Sequence, residues 1–267
     1  MLRRCVYSAV VLLLIVGCKS QFEKVRLSND PKLMYATADT LVMQGDYTKA
    51  ILLYEMIIPA YRGKVEAEKI NYKFADTHFK NRNYILSSHY FKTFADTYTT
   101  SPMREEALYL SALSEYYQAP KFKLDQTNSV AAIDAFQLFV NTFPDSERIP
   151  EVNGYVDGLR KKLEQKAFEA GRLYYNLRNY NSAIQTLGNM LKEYPGSDYT
   201  EEAMFLMVKA YYEWADRSIY ARQVERFTAT MEQCKLFDKK YPSSEYSEEI
   251  DNYVNKCQTA LNRFENG

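Results

Sequence analysis

The sequence predicts an all-α fold, a right-handed superhelical solenoid of five helix pairs closed by a C-terminal helix. The first observation is a 37-residue period of aromatic residues, interrupted once, formed by Tyr35, Tyr72, Tyr109, Phe168 and Phe205. The second is a parallel series of more compact residues three positions later, formed by Ala38, Ala75, Ala112, Gly171 and Val208. A fixed period between about 20 and 50 residues is typical of stacked repeats, in which each unit buries its apolar face against its neighbours.

Each repeat is predicted to contain a helix, a short turn and a second helix. In the first copy, Asp30-Pro31 supplies a capping carboxylate and then proline at the first helical position. Gly45-Asp46-Tyr47 breaks this helix and turns the chain. Ala50, Tyr54 and Ile57 then follow at spacings of four and three, which predicts a second helix.

The pattern of the second helix recurs in every copy, with one compact residue followed by two larger apolar ones. The sets are Ala50/Tyr54/Ile57, Ser87/Phe91/Phe94, Ala132/Phe136/Phe139, Ala183/Leu187/Met190 and Thr230/Cys234/Phe237. Two helices approach closely where a small residue faces the partner, and larger side chains fill the surrounding grooves. We therefore place the repeats near 31–67, 68–104, 105–146, 164–197 and 201–244, and a capping helix near 247–264.

Three places depart from the regular period. The compact residues that mark the two helices of a repeat lie 12 positions apart in repeats 1, 2 and 4, but 20 apart in repeat 3 and 22 apart in repeat 5. The extra residues fall near 119–128 and 215–220, and a further 14 around 148–162 predict an unusually long first helix in repeat 4. Such insertions either contribute to binding or only cover apolar surface, and the sequence leaves both open.

Serine-containing segments close four of the repeats. They are Tyr98–Ser101, Phe143–Ser146, Tyr194–Ser197 and Tyr241–Ser244, and acidic pairs follow at Glu105-Glu106, Glu201-Glu202 and Glu248-Glu249. Proline ends one helix, serine can cap the next, and glutamate in a first turn suits the helix dipole. We interpret the acidic pairs as capping residues and not as catalytic carboxylates.

The N-terminus has the features of a bacterial lipoprotein signal over residues 1–17. Arg3-Arg4 precede an apolar run that is too short to span a membrane, and Ile15-Val16-Gly17 leads to Cys18 as the site of lipid attachment. Residues 18–30 are predicted to be the lipidated N-terminus and a polar tether to the domain at 31–267. Lys19 follows the cysteine where aspartate would favour the inner membrane, so we expect the outer membrane. The alternative is an ordinary secretory signal with an incidental cysteine.

Composition and the reactive residue types argue against nucleic-acid binding and catalysis. The 34 basic residues balance 34 acidic ones, so no basic field points to nucleic acid. His78 and His89 have no metal-ligand spacing and are expected at the surface or in a seam. Cys234 and Cys257 lie on apolar stripes, so buried free thiols are favoured over a disulfide. We predict no enzyme activity, no metal and no cofactor.

A peptide groove is the candidate site. The first helices of repeats 1 to 3 carry aromatic and charged residues that would stand side by side on adjacent helices, and Lys73 and Lys80 lie nearby. The candidate residues are Tyr35, Asp39, Lys69, Tyr72, Asp76 and Tyr109. Aromatic and charged side chains along a groove suit an extended peptide. The alternative is that the tyrosines only pack between repeats.

The repeat unit resembles the tetratricopeptide repeat, through Ala38, Gly45-Asp46-Tyr47 and Ala50 in the first copy. Together with the lipid-attachment signal, the chain also resembles the BamD family of outer-membrane β-barrel assembly lipoproteins. The most specific stretches are Asp125-Gln126-Thr127 leading to Phe143–Ser146, and Tyr174-Tyr175 leading through Asn179-Tyr180 to Glu201-Glu202-Ala203.

This resemblance implies a lipid-anchored scaffold on the periplasmic side of the outer membrane. It implies three kinds of partner. A POTRA-containing barrel protein would dock on repeats 4 and 5, and unfolded outer-membrane proteins would enter a groove around Tyr35–Tyr117. Other assembly lipoproteins are the third kind. The alternative is a tetratricopeptide lipoprotein that serves peptidoglycan or secretion machinery.

Overall fold

The structure, a computed structural model, describes residues 21–265, with side chains up to Phe264. The signal segment 1–17 and Cys18 lie outside the described residues. Twelve helices follow one another through the described chain and no strand interrupts them. They are α1 Gln21–Arg26, α2 Pro31–Met43, α3 Tyr47–Tyr61, α4 Glu66–Lys80, α5 Tyr84–Thr97, α6 Arg104–Gln118, α7 Thr127–Thr142, α8 Ile149–Asn176, α9 Tyr180–Glu193, α10 Thr200–Asp216, α11 Tyr220–Lys240 and α12 Ser247–Glu265.

The predicted all-α architecture of helix pairs is confirmed. After α1, the helices α2 to α11 form five successive pairs, and α12 is the closing helix. The long first helix expected in repeat 4 is present as α8, which has 28 residues. None of the helices within residues 21–265 combines the length with the apolar composition that crossing a bilayer requires.

The chain divides into two compact units. The first contains the chain up to Gln118 together with Ala131–Ser146, and the second contains Ala119–Val130 together with the chain from Glu147 onward. The residues inserted in repeat 3 therefore group with the second unit, where the Lys166 ammonium donates to the Leu124 carbonyl at 2.7 Å. The side chain of Gln126 closes this insertion by donating to the backbone carbonyls of Lys121 and Leu124.

The compact residues of the repeats lie in the core, as expected of positions where two helices pack. Each of them is buried, with no more than 1% of its surface exposed wherever a side chain is present. In the first unit these are Ala38, Ala50, Ala75, Ser87, Ala112 and Ala132, and in the second they are Gly171, Ala183, Val208 and Thr230. There is no room for a side chain at Gly171, because a Cβ placed there would lie 2.5 Å from Cγ of Leu187.

Side-chain caps are present at the starts of α2 and α3, whereas α10 begins without the predicted serine cap, because its N-cap residue is Tyr199 and makes no side-chain hydrogen bond. The Asp30 carboxylate accepts hydrogen bonds from the backbone N–H groups of Lys32 and Leu33 at 3.0 and 3.2 Å. Ser101 and Ser197 each accept from the backbone N–H two residues later, at 3.1 and 3.2 Å. Ser244 repeats this contact before α12, and the acidic pairs lie in the first turns of α6, α10 and α12. The serines therefore close the turns that precede these helices, and only the acidic pairs lie where the helix dipole favours them.

The turn inside a repeat requires a left-handed residue, and two of the residues that occupy it are arginines. Gly45, Arg82 and Arg178 take equivalent positions in repeats 1, 2 and 4, with φ of 78°, 58° and 59°. In repeat 2, Arg82 donates to the Phe79 carbonyl and the next N–H reaches back to the His78 carbonyl, both at 2.9 Å. This double contact is a Schellman motif, in which glycine is the usual left-handed residue. The arginines therefore adopt a backbone conformation that costs a side-chain-bearing residue energy.

Part of the segment that the sequence predicts to be a tether is instead a helix. Residues 18–30 were expected to form a polar tether, but Gln21–Arg26 fold as α1. Val25 is only 8% exposed and Phe22 packs against the same core, because these two residues are three positions apart on one face of the helix. The polar composition of the segment conceals this short apolar stripe.

Candidate peptide-binding site

The first helices of repeats 1 and 2 are joined by an ion pair at the predicted groove. The Lys73 ammonium on α4 lies 2.6 Å from the Asp39 carboxylate on α2, and both side chains are about 30% exposed. The hydroxyl of Tyr54 donates to the other Asp39 oxygen at 2.5 Å. The Lys73 ammonium also lies 4.9 Å from the ring centroid of Tyr35, within the range of a cation–π contact. Asp39 is therefore the centre of a polar cluster that links three helices.

Protonation in this cluster follows from burial and pairing. Partial burial alone would lower the pKa of Lys73, but the hydrogen bond to Asp39 and the contact with Tyr35 outweigh it and raise that pKa. Burial, and then the hydrogen bond to Asp39, raise the pKa of the Tyr54 phenol. At neutral pH the cluster therefore contains an ammonium and a neutral phenol that both donate to Asp39.

A cleft of about 240 Å³ opens beside the ion pair. Its walls combine charged groups with apolar ones, and they are formed by Asp39, Val42, Met43, Tyr54, Lys73, Asp76, Thr77 and Lys80. Met43 is 80% exposed, and the Asp76 carboxylate is paired with Lys80 at 2.7 Å. The cleft is smaller than the typical small-molecule pocket of about 300–1,000 Å³, so its size suits one side chain of a longer ligand.

The structure brings only part of the predicted site together. Asp39 and Asp76 line the cleft, and Tyr35 contacts Lys73 at its edge. Tyr72 instead packs edge-on against Phe91 and Phe94, with ring centroids 5.5 Å apart in both cases. Lys69 is exposed outside the lining residues. Tyr109 is 4% exposed and contacts Phe139, so packing between helices accounts for it.

Tyr54 is a site residue whose position in the repeat pattern predicts only a place in the core. Its ring is buried at the second-helix position of repeat 1, with 1% of the residue exposed, while its hydroxyl reaches Asp39 and lines the cleft. The tyrosine side chain itself indicates a polar neighbour, since the hydroxyl of a buried tyrosine usually finds a hydrogen-bond partner. Phenylalanine occupies the corresponding position in repeats 2 and 3.

A second, more apolar cleft lies at the turn of repeat 2. It has a volume of about 510 Å³ and is lined by Arg82, Asn83, Tyr84, Ile85, Leu86 and Gln118. Ile85 is 73% exposed there and Leu86 is 43% exposed, so two adjacent aliphatic side chains contribute to the cleft surface. The Tyr84 ring packs against Tyr117 and Phe79, at 4.9 and 5.7 Å between centroids. This cleft offers apolar contact area within the first unit.

In the second unit, a cleft is formed by the end of α10, the start of α11 and the closing helix. Two adjoining cavities of about 290 Å³ each share Asp216, Phe227, Ala260 and Arg263. Lys256 lines one of them and lies 5.6 Å from the ring centroid of Tyr212. Among residues 21–265, Asp216, Lys256 and Arg263 form no ion pair with one another or with other side chains. The cleft therefore presents two cations without ion-pair partners, one of which, Lys256, lies above an aromatic ring.

The insertion of repeat 5 shapes this region. It lengthens α10 and α11, which meet at a short turn where the Arg226 guanidinium lies 3.7 Å from the ring centroid of Trp214. Arg226 also donates to the Ser218 hydroxyl, which in turn donates to the Trp214 carbonyl. The turn is thus held by a stacked and hydrogen-bonded arginine.

His78 and the two cysteines are buried as packing residues, whereas His89 is exposed. His78 is 3% exposed in the seam with Phe74 and Tyr90, and neither ring nitrogen has a hydrogen-bond partner. Cys234 and Cys257 are free and buried, which confirms the prediction, and burial raises their pKa values to about 12 and 11. Within the described part of the chain, no group of three or more His, Cys, Asp or Glu side chains is arranged to hold a metal ion.

Comparison with known proteins identifies the family. Residues 28–217 match the family described as YfiO, outer membrane lipoprotein. The outer membrane protein assembly factor BamD of Haemophilus influenzae is 23% identical over 211 residues, covering 75% of this chain and 80% of that protein. The BamD proteins of Pasteurella multocida and Rickettsia prowazekii are 23% and 22% identical, and cover 67% and 76% of this chain and 72% and 80% of their own lengths.

Among solved structures, the crystal structure of MamA covers 80% of this chain and 95% of its own chain, at 18% identity and a TM-score of 0.33. That similarity is too low to bear on function. The family match instead spans both units and includes the Asp39–Lys73 cluster and the start of the repeat 5 insertion. The resemblance to the BamD family is thereby confirmed, and the chain belongs to the family of outer membrane lipoproteins described as YfiO.

Proposed function

We propose that this chain is a non-enzymatic lipoprotein scaffold for the assembly of β-barrel proteins in the outer membrane. It is anchored by lipid at Cys18, faces the periplasm, and binds unfolded outer-membrane proteins, a POTRA-containing barrel protein and other assembly lipoproteins. One observation carries the proposal: relatives that align with about three quarters of this chain are named outer membrane protein assembly factors. The two sets of clefts described above are the surfaces that we assign to these partners.

The clefts of the first unit are assigned to the unfolded substrate. The 240 Å³ cleft beside Asp39 accommodates one side chain, and the 510 Å³ cleft at Ile85 offers a larger apolar surface. Strands of outer-membrane barrels alternate apolar and polar residues, because one face contacts lipid and the other faces the lumen. An extended segment of that kind presents apolar side chains to apolar walls and polar groups to the charged residues between them.

A binding experiment with one substitution tests the substrate assignment. The probe is a fluorescein-labelled peptide of about 10 residues copied from one strand of an outer-membrane barrel, and binding to the full-length lipoprotein in detergent is followed by anisotropy. Met43→Glu places a charge in the apolar wall of the cleft, and we expect it to weaken binding by roughly tenfold. Met43 is 80% exposed, so the substitution should leave stability nearly unchanged.

Met56→Glu is the matched control, because Met56 is also exposed but lies outside the lining of both clefts. It should bind the peptide like the unsubstituted chain. Equal affinities for the Met43 and Met56 variants would remove the cleft beside Asp39 from the substrate surface.

The cleft of the second unit is assigned to the POTRA-containing partner. Lys256 and Arg263 form no ion pair there, and Lys256 lies above the Tyr212 ring, so the cleft combines cations with aromatic side chains, as the centre of a protein interface often does. Their charges favour a partner surface that presents carboxylates next to an apolar side chain. The Asp216 carboxylate at the same cleft provides an acceptor for a hydrogen-bond donor on that partner.

Recovery of partners from envelope membranes tests this assignment. We expect the tagged full-length chain to recover a POTRA-containing barrel protein, and the variant Lys256→Glu/Arg263→Glu to recover much less of it. Lys235→Glu/Lys239→Glu makes the same change in charge on exposed residues of α11 outside the cleft and should recover it normally. Recovery of cell-wall enzymes or secretion components in place of a barrel protein would contradict the proposal and favour the alternative scaffold.

Incorporation of labelled palmitate tests the anchor. We expect label in the unsubstituted chain and none in Cys18→Ala, together with loss of the variant from the outer-membrane fraction. Equal labelling of both chains would exclude Cys18 as the attachment site.

A further inference from the structure

We infer that the corner between α1 and α2 rests on the membrane that holds the lipid anchor, so that repeat 1 is fixed at the phospholipid headgroups. This inference rests on the proposed lipidation of Cys18. It concerns the exposed residues Lys24, Leu27, Lys32 and Leu33, which we call the α1–α2 corner. The partner is the phospholipid surface itself and not another protein.

The length of chain between the anchor and the folded domain provides the first argument. Cys18 precedes Gln21, the first residue of α1, by three positions, and three residues span at most about 11 Å. A tether running to Pro31 would reach about 45 Å by the same measure. The headgroup layer on one side of a bilayer is about 5–8 Å thick. The start of α1 therefore lies at or just above the headgroups whenever Cys18 is acylated.

The attachment of α1 to repeat 1 provides the second argument. Val25 is buried in the core of the first repeat, and the Phe22 ring packs against the same core with the Lys49 ammonium 5.8 Å from its centroid. The Ser28 hydroxyl donates to the Val25 carbonyl at 2.7 Å and accepts from the Asp30 N–H at 3.2 Å. α1 is thus bound to α2 through packing and a capped turn, so holding α1 near the membrane also holds repeat 1 there.

The chemistry of the corner provides the third argument. Leu27 and Leu33 are 53% and 45% exposed on either side of the turn, and apolar side chains of this kind enter the headgroup layer. Lys24 and Lys32 are exposed and form no ion pair with any residue in the range 21–265. The nearby carboxylates are engaged, because Glu23 pairs with Arg26 and Asp30 caps α2. The corner therefore presents unpaired positive charge and apolar surface together, as anionic phospholipids favour.

Depth measurements on the full-length acylated protein test the inference. The chain is reconstituted into vesicles of phosphatidylethanolamine and phosphatidylglycerol, and Leu27→Cys is labelled with the fluorophore NBD under native conditions. Lipids that carry a nitroxide on the acyl chain should quench this label. The unsubstituted chain gives the labelling background, which should be low because Cys234 and Cys257 are buried.

Met43→Cys is the matched control on the same helix. Met43 is exposed and lies ten positions beyond Leu33, which is about 15 Å along α2. We expect strong quenching at position 27 and little at position 43. Equal quenching at the two positions, or none at position 27, would overturn the inference.

A longer tether separates the role of the surface from that of the anchor. Twelve Gly and Ser residues inserted between Ser20 and Gln21 remove the length restriction, so the quenching that remains at position 27 reports the affinity of the corner itself. Adding Lys24→Glu and Lys32→Glu to this chain should reduce that affinity by about fivefold per lysine at low salt. Unchanged quenching would exclude the lysines from membrane contact.

The outcomes distinguish this inference from the proposed anchor. If the chain incorporates palmitate and floats with the vesicles but the label at position 27 is not quenched, the anchor stands and the membrane contact of the corner is wrong. If the chain incorporates no palmitate, both are wrong. If the label at position 27 of the lipid-bound protein is not quenched by the lipid, and becomes shielded from water only after a partner protein is added, the corner is a protein-docking surface instead.

Discussion

Asp39 of repeat 1 and Lys73 of repeat 2 form an ion pair at 2.6 Å that joins the first helices of these repeats. The same carboxylate accepts a hydrogen bond from the hydroxyl of Tyr54, whose ring is almost completely buried. The two contacts differ in their consequences, because an ion pair at this exposure contributes modestly whereas a buried hydroxyl without a partner is costly. Substitutions at Asp39 can separate the two effects.

We expect Asp39→Ala to lower the free energy of unfolding by about 2–3 kcal/mol, and Asp39→Asn by only about 1 kcal/mol. Asparagine keeps an oxygen that accepts from Tyr54 and loses only the charge, whereas alanine leaves the hydroxyl without its acceptor. Urea denaturation followed by circular dichroism measures both values. Equal losses for the two variants would show that the hydrogen bond from Tyr54 contributes nothing.

The close approach of α8 and α9 predicts that replacing Gly171 by alanine destabilises the protein. A Cβ at position 171 would lie 2.5 Å from Cγ of Leu187, whose side chain is fully buried. Alanine improves helix propensity by about 1 kcal/mol, but overpacking a core costs about 1–3 kcal/mol. We therefore expect Gly171→Ala to lower the free energy of unfolding.

Gly158→Ala is the control on the same helix. A Cβ at position 158 meets no atom within 4 Å, so only the propensity term applies. This variant should be more stable than the unsubstituted chain by about 0.5–1 kcal/mol. If both alanine variants were stabilised in thermal denaturation, the packing at Gly171 would be looser than the structure indicates.

Two arginines adopt a left-handed backbone conformation, so replacing either of them by glycine should stabilise the protein. Arg82 and Arg178 have φ of 58° and 59°, where glycine adopts the conformation without strain. Arg178→Gly should raise the free energy of unfolding by about 0.5–1 kcal/mol, and Gly45→Arg should lower it by a similar amount. Differential scanning calorimetry can record both changes. Destabilisation by Arg178→Gly would mean that the arginine side chain makes a contact that outweighs the backbone strain.

The buried imidazole of His78 predicts a loss of stability in acid. Burial lowers its pKa from the ordinary value of 6.5, so the folded protein binds this proton less readily than the unfolded chain. The neutral imidazole makes its full contribution to the free energy of unfolding above pH 6.5. That contribution decreases as the pH falls below 6.5, and it is lost once the pH passes the lowered pKa of the folded state. The slope cannot exceed about 1.4 kcal/mol per pH unit for one proton.

His78→Phe tests this dependence, because phenylalanine retains aromatic contact with Phe74 and Tyr90 and does not titrate. We expect its free energy of unfolding to change less between pH 7.5 and 5 than that of the unsubstituted chain. Parallel pH profiles for the two proteins would show that His78 is not responsible for the loss.

Much of the fold could be predicted because its signals are local or periodic. Asp30-Pro31 identifies a helix start without reference to any other repeat, and the 14 additional residues before repeat 4 indicate the length of α8. The candidate site was predicted less completely. Tyr72 and Tyr109 share the period of Tyr35, but they pack against phenylalanine rings, whereas Tyr35 contacts Lys73 at the edge of the cleft.

The sequence by itself determined the helix pairs, the cap at Asp30 and the buried compact positions, since spacing and side-chain size carry that information within one repeat. Only the tertiary structure decided that Tyr54 shares Asp39 with Lys73, that Gly171 lies against Leu187, and that Phe22 and Val25 shorten the tether. The physical reason is that these contacts depend on the separation of two packed helices. A difference of an ångström in that separation decides which side chains meet, and the order of residues along the chain does not state it.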